Sequence, residues 1–142
     1  MLVKDIMNTD VKTSSPEWSI QKAAEEMNKH HIGCLVVVDG DRLAGILTER
    51  DIMRDVVAKA LDAKRVNVRD VMTKEVIMID PERDVEDAAE VMIEKKIKRL
   101  PVLSNDKIVG IITAMDVVTA HPKIIEQIGE LLLLPKKKIV AG

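Results

Sequence analysis

The spacing of hydrophobic positions changes along the first half of the chain, and each spacing predicts an element. Ile20, Ala23 and Met27 recur at intervals of three and four residues, which is typical of one face of an α-helix. Residues 35–38 are continuously apolar and favour a buried strand, and residues 43–47 form a returning strand after a turn. With a short strand at 10–13 and a second helix after residue 51, the predicted order is β-α-β-β-α.

The same pattern occurs twice. An offset of 65 residues carries Val3 onto Val68 and stays in register, without a gap, as far as Asp116. Agreement over such a length indicates a tandem duplication. A unit of about 60 residues is marginal as an independent domain, so each half is expected to need the other to bury its core. We therefore expect an α+β protein with repeats at 1–62 and 63–121.

The second half is expected to repeat the elements of the first. They would be a strand at 76–79, a helix at 85–95, strands at 100–103 and 108–112, and a helix from residue 114.

Two further segments flank this repeat. Residues 59–67 contain neither Gly nor Pro and predict either a continued helix or a short ordered linker. Residues 122–142 predict a C-terminal amphipathic helix and a basic tail. The helix would pack on the repeat or on a second subunit, while Lys136–Lys138, after Leu133 and Leu134, leave a membrane contact open.

One phrase lies where a predicted strand meets a predicted helix. Residues 45–51 contain a glycine, two aliphatic residues, a Thr and, three positions later, an Asp, and residues 110–116 repeat the arrangement. The Thr and Asp could form a capping box that satisfies the first amides of the helix. Alternatively, the helix start could attract a phosphate while the carboxylate binds ribose hydroxyls. The residues concerned are Thr48 and Asp51, and Thr113 and Asp116.

Composition narrows the class of protein. Hydrophobic residues make up 46% of the chain and charged residues 32%, which is typical of a folded globular protein. A net charge of −2 and 1% aromatic residues give no reason to expect nucleic acid as a partner. One cysteine, Cys34, excludes an intramolecular disulfide and a four-ligand Cys/His cluster. Without a signal peptide or a membrane-spanning run, a cytoplasmic protein is expected.

Several phrases recur with fixed order and spacing, and together they carry a family resemblance. They are residues 5–7 and 70–72 (Asp-x-Met), 23–27 and 88–92 (Ala-Ala-Glu-x-Met), 97–102, and the two Gly-to-Asp phrases. In these features the chain resembles a tandem pair of cystathionine β-synthase (CBS) domains, often called a Bateman module. The resemblance covers residues 3 to about 120.

This resemblance implies two repeats packed through their sheets with pseudo-twofold symmetry. It implies two clefts that bind adenosine-containing ligands such as AMP, ADP or ATP, or sometimes S-adenosylmethionine or NAD. It also implies a homodimer. Because the chain carries no recognisable effector domain, the ligand would signal to an unidentified effector protein through repeat or dimer geometry.

The resemblance also assigns roles to individual residues. Asp51 and Asp116 would bind ribose hydroxyls, and Thr48 and Thr113 would contact phosphate. The adenine edge would be framed by Thr13 and Ser14, or by Met78 and Ile79. Phosphate needs compensating positive charge, which Arg50 would provide in one cleft and Lys98 and Arg99 in the other. Arg50 could equally be a solvated residue in the first helical turn.

Two other functions remain open at this point. A ligand-free dimerisation or adaptor module would use the Thr and Asp residues only as helix caps. A small enzyme such as a nucleotide hydrolase is not expected, because no nucleophile with a positioned base, no metal constellation and no oxyanion motif is recognisable.

Overall fold

The computed structural model describes residues 1–132, and by contacts the chain forms two compact units. The first unit comprises Val11–Val76 with Asp106–Ile108. The second unit comprises Met1–Asp10, Ile77–Asn105 and, of the described residues, 109–132. The arm that opens each sequence repeat therefore belongs to the unit built mainly from the other repeat.

Apart from the strand predicted at 76–79, the elements follow one another in the order that the sequence predicts. The helices are α1 (Val3–Ile6), α2 (Ile20–His30), α3 (Glu49–Ile52), α4 (Val68–Val71), α5 (Val85–Lys95), α6 (Ala114–Ala120) and, as far as it is described, α7 (residues 125–132). The strands are β1 (Thr13–Ser14), β2 (Cys34–Asp39), β3 (Arg42–Thr48), β4 (Arg99–Ser104) and β5 (Lys107–Thr113). A π-helical turn, Met53–Val57, continues α3, and a 3-10 turn, Pro122–Ile124, precedes α7.

In the first unit the three strands form one sheet in the order β1-β2-β3. Strand β1 runs parallel to β2, and β3 runs antiparallel to it. The N-cap of helix α2 is Ser19, whose hydroxyl accepts a hydrogen bond from the Lys22 amide, and its C-cap is His31, where φ is 55°. Its buried face, Ile20, Ala23 and Met27, packs with the inward residues of β2 and β3, so the predicted helix and hairpin are confirmed.

In the second unit β4 and β5 form a two-stranded sheet, and α5 ends at Lys96 in the same left-handed conformation as His31. Its core repeats that of the first unit, with α1 in the place of α4 and with the C-terminal segment added. The fully or nearly fully buried members are Val3, Ile79, Val85, Ala88, Ala89, Met92, Leu100, Val102, Ile112, Ala114, Val117, Ile124 and Ile128.

The predicted strands at 10–13 and 76–79 are shorter than expected. Only Thr13 and Ser14 pair as β1, where the Val36 amide donates to the Lys12 carbonyl. In the second unit the pairing shrinks to one bridge between Ile79 and Val102. Pro101 stands where the first unit has Val36 and has no N–H to donate, so the parallel ladder cannot extend back toward residue 77.

The structure distinguishes the alternatives for the linker and for the C-terminal helix. Residues 58–66 form turns without regular helix, so the continued-helix alternative is wrong and the linker is short and ordered. Ile124 and Ile128 are buried in the core of the second unit, so the C-terminal helix packs on the repeat. The predicted Leu133, Leu134 and Lys136–Lys138 tail lies outside the described residues.

Candidate functional site

The Thr-x-x-Asp phrase of the first unit forms a complete capping box at the start of α3. The Thr48 hydroxyl accepts a hydrogen bond from the Asp51 amide at 3.1 Å. In return, Asp51 Oδ2 accepts one from the Thr48 amide at 3.0 Å. This reciprocal pair satisfies two amides that the helix itself cannot satisfy, so the capping interpretation is confirmed here.

The second unit forms the same box at the start of α6. The Asp116 amide donates to the Thr113 hydroxyl at 3.2 Å, and the Thr113 amide donates to Asp116 Oδ2 at 2.9 Å. In both boxes the cap uses only Oδ2 of the aspartate. The second carboxylate oxygen, Oδ1, is therefore left over for another partner in each unit.

The two units differ in what occupies that second oxygen. In the first unit Arg54 Nη2 donates to Asp51 Oδ1 at 3.0 Å. In the second unit no hydrogen bond or ion pair to Asp116 Oδ1 forms among residues 1–132. The difference follows from the sequence, because the 65-residue offset puts Thr119 where the first unit has Arg54.

Arg54 also binds Asp55 through two hydrogen bonds, Nε to Oδ1 at 3.0 Å and Nη2 to Oδ2 at 2.9 Å. The hydrogen bonds and negative charge of Asp55, and to a smaller extent those of Asp51, raise the pKa of Arg54 above its ordinary value. In the same way the Arg54 guanidinium lowers the pKa of Asp55. A single guanidinium thus links the capping aspartate to a neighbouring carboxylate on the π-helical turn.

Burial explains why Asp51 has this partner. Asp51 is only 4% exposed, and an unpaired buried carboxylate would be costly. Asp116 is half-buried, so water can solvate its second oxygen. Arg54 was not predicted, because in the first unit positive charge was expected inside the seven-residue phrase, at Arg50. The usable signal was helical spacing, since a residue three positions after Asp51 shares its face.

The residues predicted to frame the adenine edge differ in their exposure. Ser14 is 2% exposed, and its hydroxyl has no hydrogen-bond partner among the described residues. Thr13 and Met78 are exposed, whereas the Ile79 side chain belongs to the core of the second unit. A buried polar atom without a partner is unusual in a folded protein, which marks Ser14 as a position that a bound group could satisfy.

The predicted cations lie at the surface. Arg50 is exposed, and within residues 1–132 its side chain forms no hydrogen bond or ion pair. Lys98 is exposed and its carbonyl accepts the Ala114 amide at 2.8 Å, so its backbone adjoins the second capping box. Arg99 is half-buried at the start of β4. The structure therefore brings Lys98 to the Thr113 box, and the ligand roles of all three cations stay predictions.

Each unit also has an open surface pocket, and none of the predicted ligand residues lines either one. One, of about 390 Å³, lies between the end of α2 and the start of α3 and includes His31 and Glu49. The other, of about 460 Å³, includes Asp84, Glu86 and His121. Neither pocket is lined by Asp51, Asp116 or Ser14.

Residues 1–132 contain no group of three His, Cys, Asp or Glu side chains placed to hold a metal ion. Over the same residues, none of the helices combines the length and the apolar character needed to cross a membrane.

Comparison with known proteins matches the same two segments. The model of the CBS domain matches residues 3–58 and 68–123. The chain is 39% identical over 114 residues to the CBS domain-containing protein YhcV of Bacillus subtilis, covering 80% of this chain and 81% of that protein. It is 35% identical over 130 residues to the uncharacterized protein MK0525 of Methanopyrus kandleri, covering 90% of this chain and 66% of that longer protein.

A solved structure shares the fold as well. The hexameric CBS-CP12 protein from bloom-forming cyanobacteria superposes with a TM-score of 0.76 at 29% identity, covering 83% of this chain and 66% of that one. The duplicated phrases, the matching capping boxes and these similarities agree. The chain belongs to the CBS-domain family and carries two CBS domains in tandem.

Proposed function

We propose that this chain is a non-enzymatic regulatory module that binds an adenine nucleotide, AMP, ADP or ATP, at its two Thr-x-x-Asp boxes. The observation that carries the proposal is the way each box uses its aspartate. Capping consumes Oδ2 alone, so Oδ1 can still accept a hydrogen bond from a ribose hydroxyl. Membership of the CBS-domain family supports this assignment.

The Ser14 hydroxyl supports a ligand in the first unit. It is buried and lacks a partner among residues 1–132, although a hydroxyl can both donate and accept. In the proposed complex the adenine edge satisfies Ser14. Arg50, Lys98 and Arg99 are proposed to compensate the phosphate charge.

Self-association is the second part of the proposal. Met53 and Val57, on the π-helical turn, are 61% and 68% exposed, which places two large apolar side chains one helical turn apart in water. A neighbouring apolar residue, Leu61, is also exposed. We propose that this surface packs against a second copy to form a homodimer. The related CBS-CP12 protein is hexameric, which supports self-association. An effector protein would then recognise the ligand-dependent geometry of the repeats or of the dimer.

Titration calorimetry with AMP, ADP and ATP, and with S-adenosylmethionine and NAD as alternatives, tests the ligand. A ligand that binds only the folded protein adds about 2.7 kcal/mol of stability at a hundred times its Kd, so thermal unfolding gives a second readout. Saturable heat and a raised Tm with one adenosine ligand support the proposal. No heat and no Tm change with any of them contradicts it.

One observation favours a second candidate function, a ligand-free dimerisation or adaptor module. Both aspartates already serve as helix caps, and in the first unit Asp51 has a partner at each oxygen. That module predicts no response to nucleotides, while removal of a cap lowers stability by about 1 kcal/mol. The titrations above therefore separate the two candidates.

A further inference from the structure

The contacts of Arg54 distinguish the two boxes in a way that bears on binding. Asp51 accepts from the Thr48 amide at Oδ2 and from Arg54 at Oδ1. Both carboxylate oxygens therefore have a protein donor in the unliganded chain. A carboxylate oxygen can accept two hydrogen bonds, but Asp51 is only 4% exposed with Arg54 in place, so a ribose diol that reaches Oδ1 in the manner proposed above displaces Arg54.

Arg54 can leave Asp51 without losing its ionic partner. Its Nε and Nη2 also bind the two oxygens of Asp55, a bidentate arrangement that does not depend on Asp51. The Arg54 side chain is 56% exposed, so it has room to move toward water. Displacement therefore breaks the ion pair between the exposed Arg54 and the buried Asp51, while the bidentate pair between Arg54 and Asp55 remains.

The second unit has no counterpart of this arrangement. Thr119 and Ala120 occupy the positions of Arg54 and Asp55, as the 65-residue offset shows. Neither a threonine nor an alanine side chain can supply a guanidinium, and Asp116 Oδ1 has no protein donor among residues 1–132. The Asp116 carboxylate is thus available to a ribose without any prior rearrangement.

We infer that Arg54 is a latch that competes with the ribose of a bound nucleoside for Asp51, which makes the Asp51 site weaker than it would be without Arg54. This inference rests on the proposed function of the two boxes. When a nucleoside binds, Arg54 turns from Asp51 to Asp55 alone. Because Arg54 lies on the π-helical turn beside exposed Met53 and Val57, its movement changes the surface next to the proposed dimer contact.

Adenosine is the appropriate probe, because it has the ribose diol but no phosphate. Loss of the Arg54 charge then cannot weaken binding through a lost phosphate contact. Each site is measured alone by calorimetry, the Asp51 site in an Asp116→Ala background and the Asp116 site in an Asp51→Ala background. Wild-type protein is titrated with adenosine and AMP alongside.

Arg54→Gln in the Asp116→Ala background is expected to tighten adenosine binding about twofold to fivefold, the range expected for one partly exposed ion pair. Arg65→Gln is the matched control, because Arg65 carries the same charge in the same unit and pairs only with Asp62 among the described residues. Its adenosine affinity should equal that of the parent. Circular dichroism of each variant checks that the fold is retained.

The reciprocal variant is independent of how well Arg54→Gln folds. Thr119→Arg with Ala120→Asp, in the Asp51→Ala background, is expected to weaken adenosine binding at Asp116 by a similar factor. Unchanged or weaker binding in Arg54→Gln, or unchanged binding in the reciprocal variant, overturns the latch and leaves the proposed function standing. If neither adenosine nor AMP binds wild-type protein or any variant, the latch fails, and the proposed function fails as well when ADP and ATP do not bind the wild-type protein.

Discussion

The Met7 side chain lies against Gly110, although the two residues are far apart in the sequence. A Cβ on Gly110 would stand 2.6 Å from the Met7 sulfur and 3.1 Å from the Asn8 carbonyl oxygen. The first unit repeats the relationship, with Gly45 facing Met72 and the Thr73 carbonyl. In each unit, the Asp-x-Met arm closes on the glycine of a Gly-to-Asp phrase, and backbone hydrogen bonds hold it there.

Gly110→Ala should therefore destabilise the protein, by about 1–3 kcal/mol, because the added methyl group overlaps the packed Met7 side chain and crowds the Asn8 carbonyl oxygen. Urea unfolding measures the change. Gly129→Ala is the matched control in the same unit, since a Cβ there meets nothing within 4 Å and Gly129 lies inside α7. That control should gain about 0.5–1 kcal/mol. Equal effects of the two substitutions would contradict the close contact.

The capping boxes make a separate prediction about stability. Thr48→Ala and Thr113→Ala should each cost about 1 kcal/mol, because each removes the hydroxyl that accepts the N3 amide of its helix. Thr→Ser at the same positions keeps the hydroxyl and should cost much less. Denaturant unfolding of the four variants checks the order. A Thr→Ser loss as large as that of Thr→Ala would show that the methyl group, and not the cap, matters.

The Arg54–Asp55 pair predicts a pH dependence of stability. Arg54 lowers the folded-state pKa of Asp55 below its unfolded value of about 3.9. Such a carboxylate contributes stability that is complete above the unfolded pKa and is lost as the pH falls through the folded pKa. The difference in unfolding free energy between wild type and Arg54→Gln should therefore be largest near neutral pH and shrink below about pH 4. A difference that stays constant to pH 2.5 would argue against the pair.

The apolar surface at Met53 and Val57 predicts an effect on assembly. Val57→Glu should shift the protein toward the monomer, because it places a charge at the centre of the proposed apolar contact. Sedimentation velocity at several concentrations measures the distribution. Arg42→Glu is the control, since Arg42 is exposed at the start of β3 and its replacement changes charge without removing apolar surface. If both variants assemble like wild type, the dimer forms elsewhere.

Much of the fold follows from the sequence because its signals are local. The apolar spacing of α2, the continuous apolar run of β2 and the Thr-x-x-Asp boxes each depend on neighbouring residues. Pairing between segments is different. Both repeats carry an Asp-x-Met arm and a glycine phrase, so the sequence fits either pairing equally well. Only the packed structure shows that residues 1–10 join the second unit.

The candidate site also combines residues that the sequence predicts with residues that only the structure identifies. Thr48, Asp51, Thr113 and Asp116 could be placed from their spacing, and the caps formed as that spacing indicates. Arg54 could not, because its importance depends on the burial of Asp51, which leaves one carboxylate oxygen in need of a donor. The orphaned Ser14 hydroxyl is likewise visible only once the side chain is seen to be buried.

The most direct test is calorimetric titration of AMP, ADP and ATP into wild-type protein and into the double variant Asp51→Ala, Asp116→Ala. Asp62→Ala, which removes an exposed carboxylate that belongs to neither box, is the control. The account predicts saturable binding of at least one nucleotide to wild type and to the control, and none to the double variant. Equal binding to the double variant, or no binding to wild type, would contradict it.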